Sequence, residues 1–186
     1  MINKKNMSDV ITFFSSKKEY RSLSNFWLAD VTIIDENENR IYESGEHCFH
    51  GEKYIRIGSK TMDPGRKRTL IEYGKTFSKP SIYTSPLIAK QKGGKRGLLL
   101  TVEELEFWQN ESITVQYEIC RWKMNNCNEV QEDLKKSGNK ILVHPAMRCT
   151  AEKIKGRIWE GRAIIQNGEL VILGNNKLGN IWMELR

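Results

Sequence analysis

Ser44-Gly45-Glu46-His47-Cys48-Phe49-His50-Gly51-Glu52-Lys53-Tyr54 sets ionisable, aromatic and small residues together at helical spacing. On a helix turning about 100° per residue, Glu46, His50 and Lys53 share one face, while Cys48, Gly51 and Ile55 fall on the other. A carboxylate, an imidazole and an ammonium therefore converge, which marks the stretch as a candidate site. The alternative is an ordinary i,i+4 Glu/His pair beside a solvated lysine. Ser44 is a natural N-cap, and Glu46 and His47 fall in the first turn, where the helix dipole favours a carboxylate.

Upstream, Val10-Ile11-Thr12-Phe13-Phe14 reads as a short strand ended by Ser15-Ser16-Lys17-Lys18. Val31 to Ile34 and Arg40 to Tyr42 flank Asp35-Glu36-Asn37-Glu38-Asn39 as a hairpin, so a small sheet precedes the first helix. Downstream, Asp63-Pro64-Gly65 is a turn, and a short helix over 66–73 is expected to close at Gly74. Ser85-Pro86 opens another helix that Gly93-Gly94 ends. Thr101-Val102-Glu103-Glu104 is a capping box for one long or two shorter helices, in which Cys120 and Cys127, seven apart, read as core on one face. A helix closes at Gly138, Ile141-Leu142-Val143 is a short buried strand, and Asn167-Gly168 joins a second hairpin. The tail from Gly174 is a Gly/Asn-rich loop running into a short helix. There is no internal repeat and no dividing linker.

The 186 residues suffice for one globular domain, expected over 10–186 after a polar leader at 1–9, and 39% apolar content fits a soluble chain. No apolar run approaches the ~18 residues of a membrane span, and the start lacks the apolar core of a signal peptide, so a cytoplasmic location is expected. Cys48, Cys120, Cys127 and Cys149 have neither paired C-x-x-C spacing nor the density of a disulfide scaffold, so reduced thiols are expected. His47, Cys48 and His50 diverge around the helix and have no second ligand cluster, so no metal is expected. The net charge is +7, and twelve Lys/Arg against Asp63 and Glu72 give the segment from Lys53 to Arg96 a charge of +10. Clustered base suits an anionic ligand, a phosphate ester or a nucleic acid; a solvated basic surface is the plain alternative.

A series of residues in order carries a family resemblance: Phe14-Ser15 with Glu19-Tyr20, Leu23-Ser24-Asn25-Phe26, Glu46-His47 with Lys53-Tyr54, Ser85-Pro86 with Ala89 and Gly93, Trp108, Lys123-Met124, Leu142-Val143, Trp159, and Asn176-Lys177-Leu178-Gly179 with Met183 and Arg186. From Phe13 to Arg186 the chain resembles the NADAR (NAD- and ADP-ribose-associated), or YbiA-like, family. The resemblance implies an α+β, helix-dominated single compact domain with a small antiparallel sheet. It also implies an N-glycosidase that cleaves ribosyl C–N bonds without a cofactor. Members are similar either to enzymes that hydrolyse early riboflavin-pathway intermediates or to enzymes that remove ADP-ribose from guanine in nucleic acid. The chain departs from the family pattern in having Gly45 for the usual Ser, His144 after Leu142-Val143 for the usual Glu, and Gly156 for an Asp three residues before Trp159. A second acid is therefore missing at both expected places, with Glu152 and Glu160 as replacements to consider.

Breaking a ribosyl C–N bond through an oxocarbenium-like state calls for a carboxylate near the anomeric carbon, to offset positive charge and to orient or deprotonate water. Glu46 is the catalytic candidate. For substrate binding the candidates beside it are Phe26, His47, His50 and Lys53. The resemblance favours Trp108 and Trp159 as flat walls for a base, although large aromatics are as readily core. Asn25 offers an amide to ribose hydroxyls, and Asn176 with Gly179 lies in a loop open to a phosphate; turn formation is the alternative for both. The expected partner is ADP-ribosylated nucleic acid or a ribose-phosphate small molecule, with no membrane and no obligate protein partner. A non-catalytic module that binds ADP-ribose or modified nucleic acid is the competing reading.

Overall fold

The computed structural model describes residues 6–35 and 38–186. Among them are seven α-helices and six strands, an α+β architecture dominated by helix. The strands pair two by two: β1 (Val10–Thr12) with β4 (Ile141–Val143), β2 (Leu28–Ile34) with β3 (Asn39–Ser44), and β5 (Arg162–Gln166) with β6 (Glu169–Leu173). The last two pairs are antiparallel, as hairpins must be, whereas β1 and β4 are parallel, with Ile11 opposite Leu142. The expected small antiparallel sheet is present as the two hairpins, and the parallel pair is an addition to it. The chain gathers into two compact units: Asn25–Asn126, and the described part of Met1–Ser24 with Cys127–Arg186.

The unit Asn25–Asn126 is built on α1 (Gly45–Lys60), capped by Ser44, whose hydroxyl accepts the His47 N–H. Three residues later α2 (Pro64–Lys75) folds back: Gly58 lies beside Leu70 and Ile71, and Gly51 beside Gly74 and Phe77, so the two helices run antiparallel. Gly74 was expected to end α2. It sits inside the helix instead, because a Cβ there would meet Ile55 Cγ1 at 2.6 Å and the Gly51 carbonyl at 2.8 Å. Helix α3 (Pro86–Gly93) starts at the Ser85 cap with Pro at its first position. Then α4 (Val102–Asn126) runs unbroken for 25 residues from the reciprocal Thr101/Glu104 box. The core joins Val31 and Tyr42 of the hairpin to Tyr54 and Ile57 of α1, Leu70 of α2, Phe77, and Val115 and Ile119 of α4. In this hairpin Glu36 and Asn37 of the expected turn lie outside the described residues.

Within this core Glu52 is fully buried and carries a charge, which is tolerable only because every lone pair direction is used. Arg40 Nε donates to it at 2.8 Å, the Tyr42 hydroxyl at 2.7 Å and Arg56 Nε at 3.2 Å. Burial is also the first cause that pushes the Tyr42 phenol far above its ordinary range.

In the other unit, a 3-10 turn at Met7–Asp9, closed by an Asn6 capping box, occupies part of the expected polar leader, whose residues 1–5 lie outside the described ones. Phe13, Leu23, Leu142, Val143 and Trp182 are buried, and the Trp182 indole donates to the Leu23 carbonyl at 2.9 Å. Helix α5 (Asn128–Ser137) stops at Gly138, whose φ of 52° suits glycine. Cys127 precedes α5 as its N-cap, so it does not share a helical face with Cys120 of α4. The β5–β6 turn has Asn167 at φ 52° and Gly168 at 76°, the left-handed pair an Asn-Gly hairpin requires. Helices α6 (Ala151–Ile154) and α7 (Lys177–Leu185) complete the unit.

Candidate functional site

Glu46 stands in the first turn of α1, where its backbone N–H donates to the Asn25 carbonyl at 2.9 Å. The close approach of Asn25 is what the glycine before it permits: a Cβ on Gly45 would lie 2.8 Å from Asn25 Oδ1 and 3.1 Å from Ile119 Cγ2. Asn25 is itself held by an amide pair with Gln116 of α4, at 2.7 and 3.0 Å. That exchange uses one of its two N–H donors and one lone pair, leaving one of each.

The Glu46 side chain is 10% exposed, and its Oε1 lies 3.3 Å from His50 Nε2 and 3.9 Å from Lys90 Nζ. The other His50 nitrogen, Nδ1, is buried with no hydrogen-bond partner, sealed by Gly93 of α3: a Cβ on Gly93 would fall 2.1 Å from it. A proton on Nδ1 would therefore be an unsatisfied buried donor, so Nε2 carries it and donates to Glu46. Burial holds the His50 pKa below the ordinary imidazole value, outweighing the opposite pull of Glu46. A neutral imidazole thus fixes one carboxylate oxygen. Lys90, with a side chain 60% exposed, is loosely placed, its ammonium 5.4 Å from the Phe26 ring centroid.

Lys53 donates to the Gly93 carbonyl and lies 4.6 Å from the Tyr54 ring centroid. Its burial pushes the ammonium down to about 8. The expected face of Glu46, His50 and Lys53 is therefore present, with α3 packed along it, Lys90 facing the carboxylate and Gly93 facing the imidazole and ammonium. Neither α3 residue was singled out for this from sequence. Gly93 carried a terminator signal and a place in the family series but no link to His50, and Lys90, 44 positions from Glu46, carried none.

Other expected site residues are placed differently. His47 is fully buried, with Nδ1 2.8 Å from the Ser44 hydroxyl and Nε2 2.8 Å from the Tyr83 carbonyl. Because a carbonyl only accepts, Nε2 donates and Nδ1 accepts; the ring is a clip at the start of α1 with nothing left for a ligand. Trp108 is 8% exposed and packs edge-on against Phe49 at 5.0 Å. Phe49 in turn lies 5.5 Å from the His50 ring, so Trp108 backs the site from behind another aromatic.

In the second unit, Asn176 is 2% exposed; its Oδ1 accepts from the His144 N–H at 3.1 Å and its Nδ2 donates to the Leu142 carbonyl at 2.8 Å. The amide that sequence offered to a phosphate is thus spent on β4 and the residue after it. Gly179 is small for the same packing, since a Cβ there would meet the Leu142 carbonyl at 2.1 Å. Trp159 is half-buried between α6 and β5. Glu152 is exposed in the first turn of α6, where its own backbone N–H and the Thr150 hydroxyl hold its carboxyl below the ordinary range. Among the described residues, no group of three His, Cys, Asp or Glu is placed to hold a metal ion, and no helix is long and apolar enough to cross a membrane.

No family model matches the chain, and a search of curated proteins returns no match.

Proposed function

We propose that the chain is an N-glycosidase of the NADAR type that hydrolyses a ribosyl C–N bond, with ADP-ribosylated guanine in nucleic acid as the favoured substrate. The observation that carries this reading is the carboxylate of Glu46: nearly buried, pinned through one oxygen by a neutral imidazole, and faced by an exposed cation. As the bond to the base lengthens, positive charge gathers on the ribose ring, and a carboxylate in a water-poor site offsets it far better than solvent does. The oxygen that His50 leaves free is the one available to the ring or to a water that attacks C1. Lys90, weakly held at 3.9 Å, is free to swing onto a ligand phosphate, and its departure would leave Glu46 the uncompensated anion that the transition state requires. Gly45, a departure from the family pattern, supports the same geometry, because Asn25 occupies the space a serine side chain would need.

A second reading is favoured by one observation. The side-chain partners of Glu46 among the described residues are His50 and Lys90, with no second carboxylate. A site lacking a paired acid also suits a module that binds ADP-ribose without cleaving it. An oligonucleotide with one ADP-ribosyl guanine and, separately, ribosylamino-pyrimidine phosphates are incubated with the protein, and products are followed by mass spectrometry. Free ADP-ribose and intact guanine, lost in Glu46→Gln, is the expected result. Cleavage of the pyrimidines alone would move the substrate to riboflavin intermediates, and silence with both would favour the binding module.

A further inference from the structure

Away from Glu46, α2, the end of α3 and the segments on either side of α3 enclose an open cleft of about 640 Å³. One wall is the stripe Thr69 and Tyr73 of α2 with Thr76 at its C-cap, at the i, i+4, i+7 spacing of a single helical face. The opposite wall carries Lys92 and Arg96, and Ile82, 68% exposed, offers an apolar surface between them. The walls are tied to each other. Tyr73 donates its hydroxyl to the Lys92 carbonyl at 3.0 Å, and Gly97 is packed so closely that a Cβ would overlap that same carbonyl at 1.6 Å. Lys92 has no acidic partner among the described residues, and Arg96 gives one N–H to Gln91 at 3.1 Å and keeps the rest. Lys90 and Lys92 are two positions apart on α3, about 200° around a helix, so the first faces Glu46 while the second faces the cleft.

We propose that this cleft binds the backbone of a single-stranded nucleic acid, with Lys92 and Arg96 on successive phosphates and a base lying on Ile82. The chemistry is that of strand-tracking grooves: cations spaced along one wall and an apolar surface for a base, with Glu72 the one carboxylate in the lining against the two cations. A cavity of this size admits a nucleotide with room for the chain to enter and leave. The inference rests on the nucleic-acid half of the proposed function and adds where the flanking strand lies: along α3, opposite the face that presents the cation to Glu46.

The test uses an unmodified single-stranded 12-mer and fluorescence anisotropy from 50 to 300 mM salt, with the full chain. The Lys92→Gln, Arg96→Gln double variant should bind about 30-fold more weakly at the lowest salt. Its slope of log K against log salt should be shallower by about 1.4, two phosphates at roughly 0.7 each. Lys60→Gln, an unpaired exposed cation at the end of α1 outside the cleft, should stay within about threefold of wild type, and thermal melts verify that both variants fold. Equal affinity for wild type and the double variant, equal losses in the double variant and the Lys60 control, or no binding by wild type would each overturn the proposal. Because the strand is unmodified and no bond is broken, these outcomes are separate from those that decide the N-glycosidase reading.

Discussion

In the proposed mechanism Glu46 and its two basic neighbours divide three jobs by burial. His50, buried and neutral, orients; Lys90, exposed, is exchangeable; Glu46 holds the charge. Replacing the carboxylate by its amide keeps size and polarity and removes only that charge. Glu46→Gln should therefore reduce turnover of the cleavable substrate by at least a hundredfold while binding changes by less than about tenfold, because the lost interaction belongs to the transition state. More than half the wild-type rate in that variant would remove Glu46 from the chemistry. Titration gives an independent check. The folded-state pKa of His50 lies below its ordinary 6.5, so above that value both states are neutral and stability is full. As pH falls below it, the unfolded chain takes up a proton that the folded chain resists, and stability declines. The folded-state pKa of Lys53 is lowered from 10.5 to about 8 by burial, so both states are charged below about 8 and stability rises with pH from there to 10.5. Melting temperatures from pH 5 to 10 should show both limbs. His50→Gln should flatten the acid limb and Lys53→Met the alkaline one; limbs unchanged in the variants would mean that these side chains titrate as they do in water.

The elements that hold this site are stabilised by contacts of two kinds, and they differ in how far sequence reveals them. Glu52 on α1 and Arg40 on β3 tie helix to hairpin through a buried ion pair, with Tyr42 and Arg56 completing it. Glu52→Ala leaves Arg40, 7% exposed, without its main counter-charge, and should cost about 3–5 kcal/mol in urea unfolding. A cost under 1 kcal/mol would show that Asp35, 3.2 Å from the same guanidinium, suffices alone. Local signals were readable in the chain: the Ser44 and Ser85 caps, the Thr101/Glu104 box, Gly138 and Asn167-Gly168 each act within a few residues. What could not be read depends on partners far along the chain. Gly74 looks like a helix terminator until Gly51 and Ile55 are laid against it, and Gly93, which does end α3, gives no local sign of the His50 ring packed on it. His47 has every attribute of a ligand residue except that the Tyr83 carbonyl, 36 positions on, already occupies it. Trp108 follows the same logic: its edge-on seat against Phe49 marks it as core, and Trp108→Ala should lower stability by about 3–5 kcal/mol, where a ring that only stacked on a base would leave the melt unchanged.

At the scale of the whole chain, the useful quantity is how much of the basic segment is free to meet a polyanion. Of the twelve Lys/Arg from Lys53 to Arg96, Arg56, Arg66, Lys75, Lys79 and Lys90 are in ion pairs, and Lys53 is buried on a carbonyl. Lys60, Lys67, Arg68, Lys92, Lys95 and Arg96 have no acidic partner among the described residues, so six of the twelve cations are on offer. Each phosphate neutralised on a single strand contributes a slope of about −0.7, so six cations set a ceiling near −4 for log K against log salt. Lys67 and Arg68 lie exposed in the first half of α2, and Lys67→Glu with Arg68→Glu should weaken strand binding and make that slope shallower without changing turnover of a ribose-phosphate small molecule. A slope near −7 would require more than the six unpaired cations of this segment, supplied by breaking its ion pairs or by the 18 Lys and Arg elsewhere in the chain. A slope near −1, the dependence of a ligand with one phosphate, would take the polymer out of the account and leave a small ribose phosphate as the substrate of the proposed reaction.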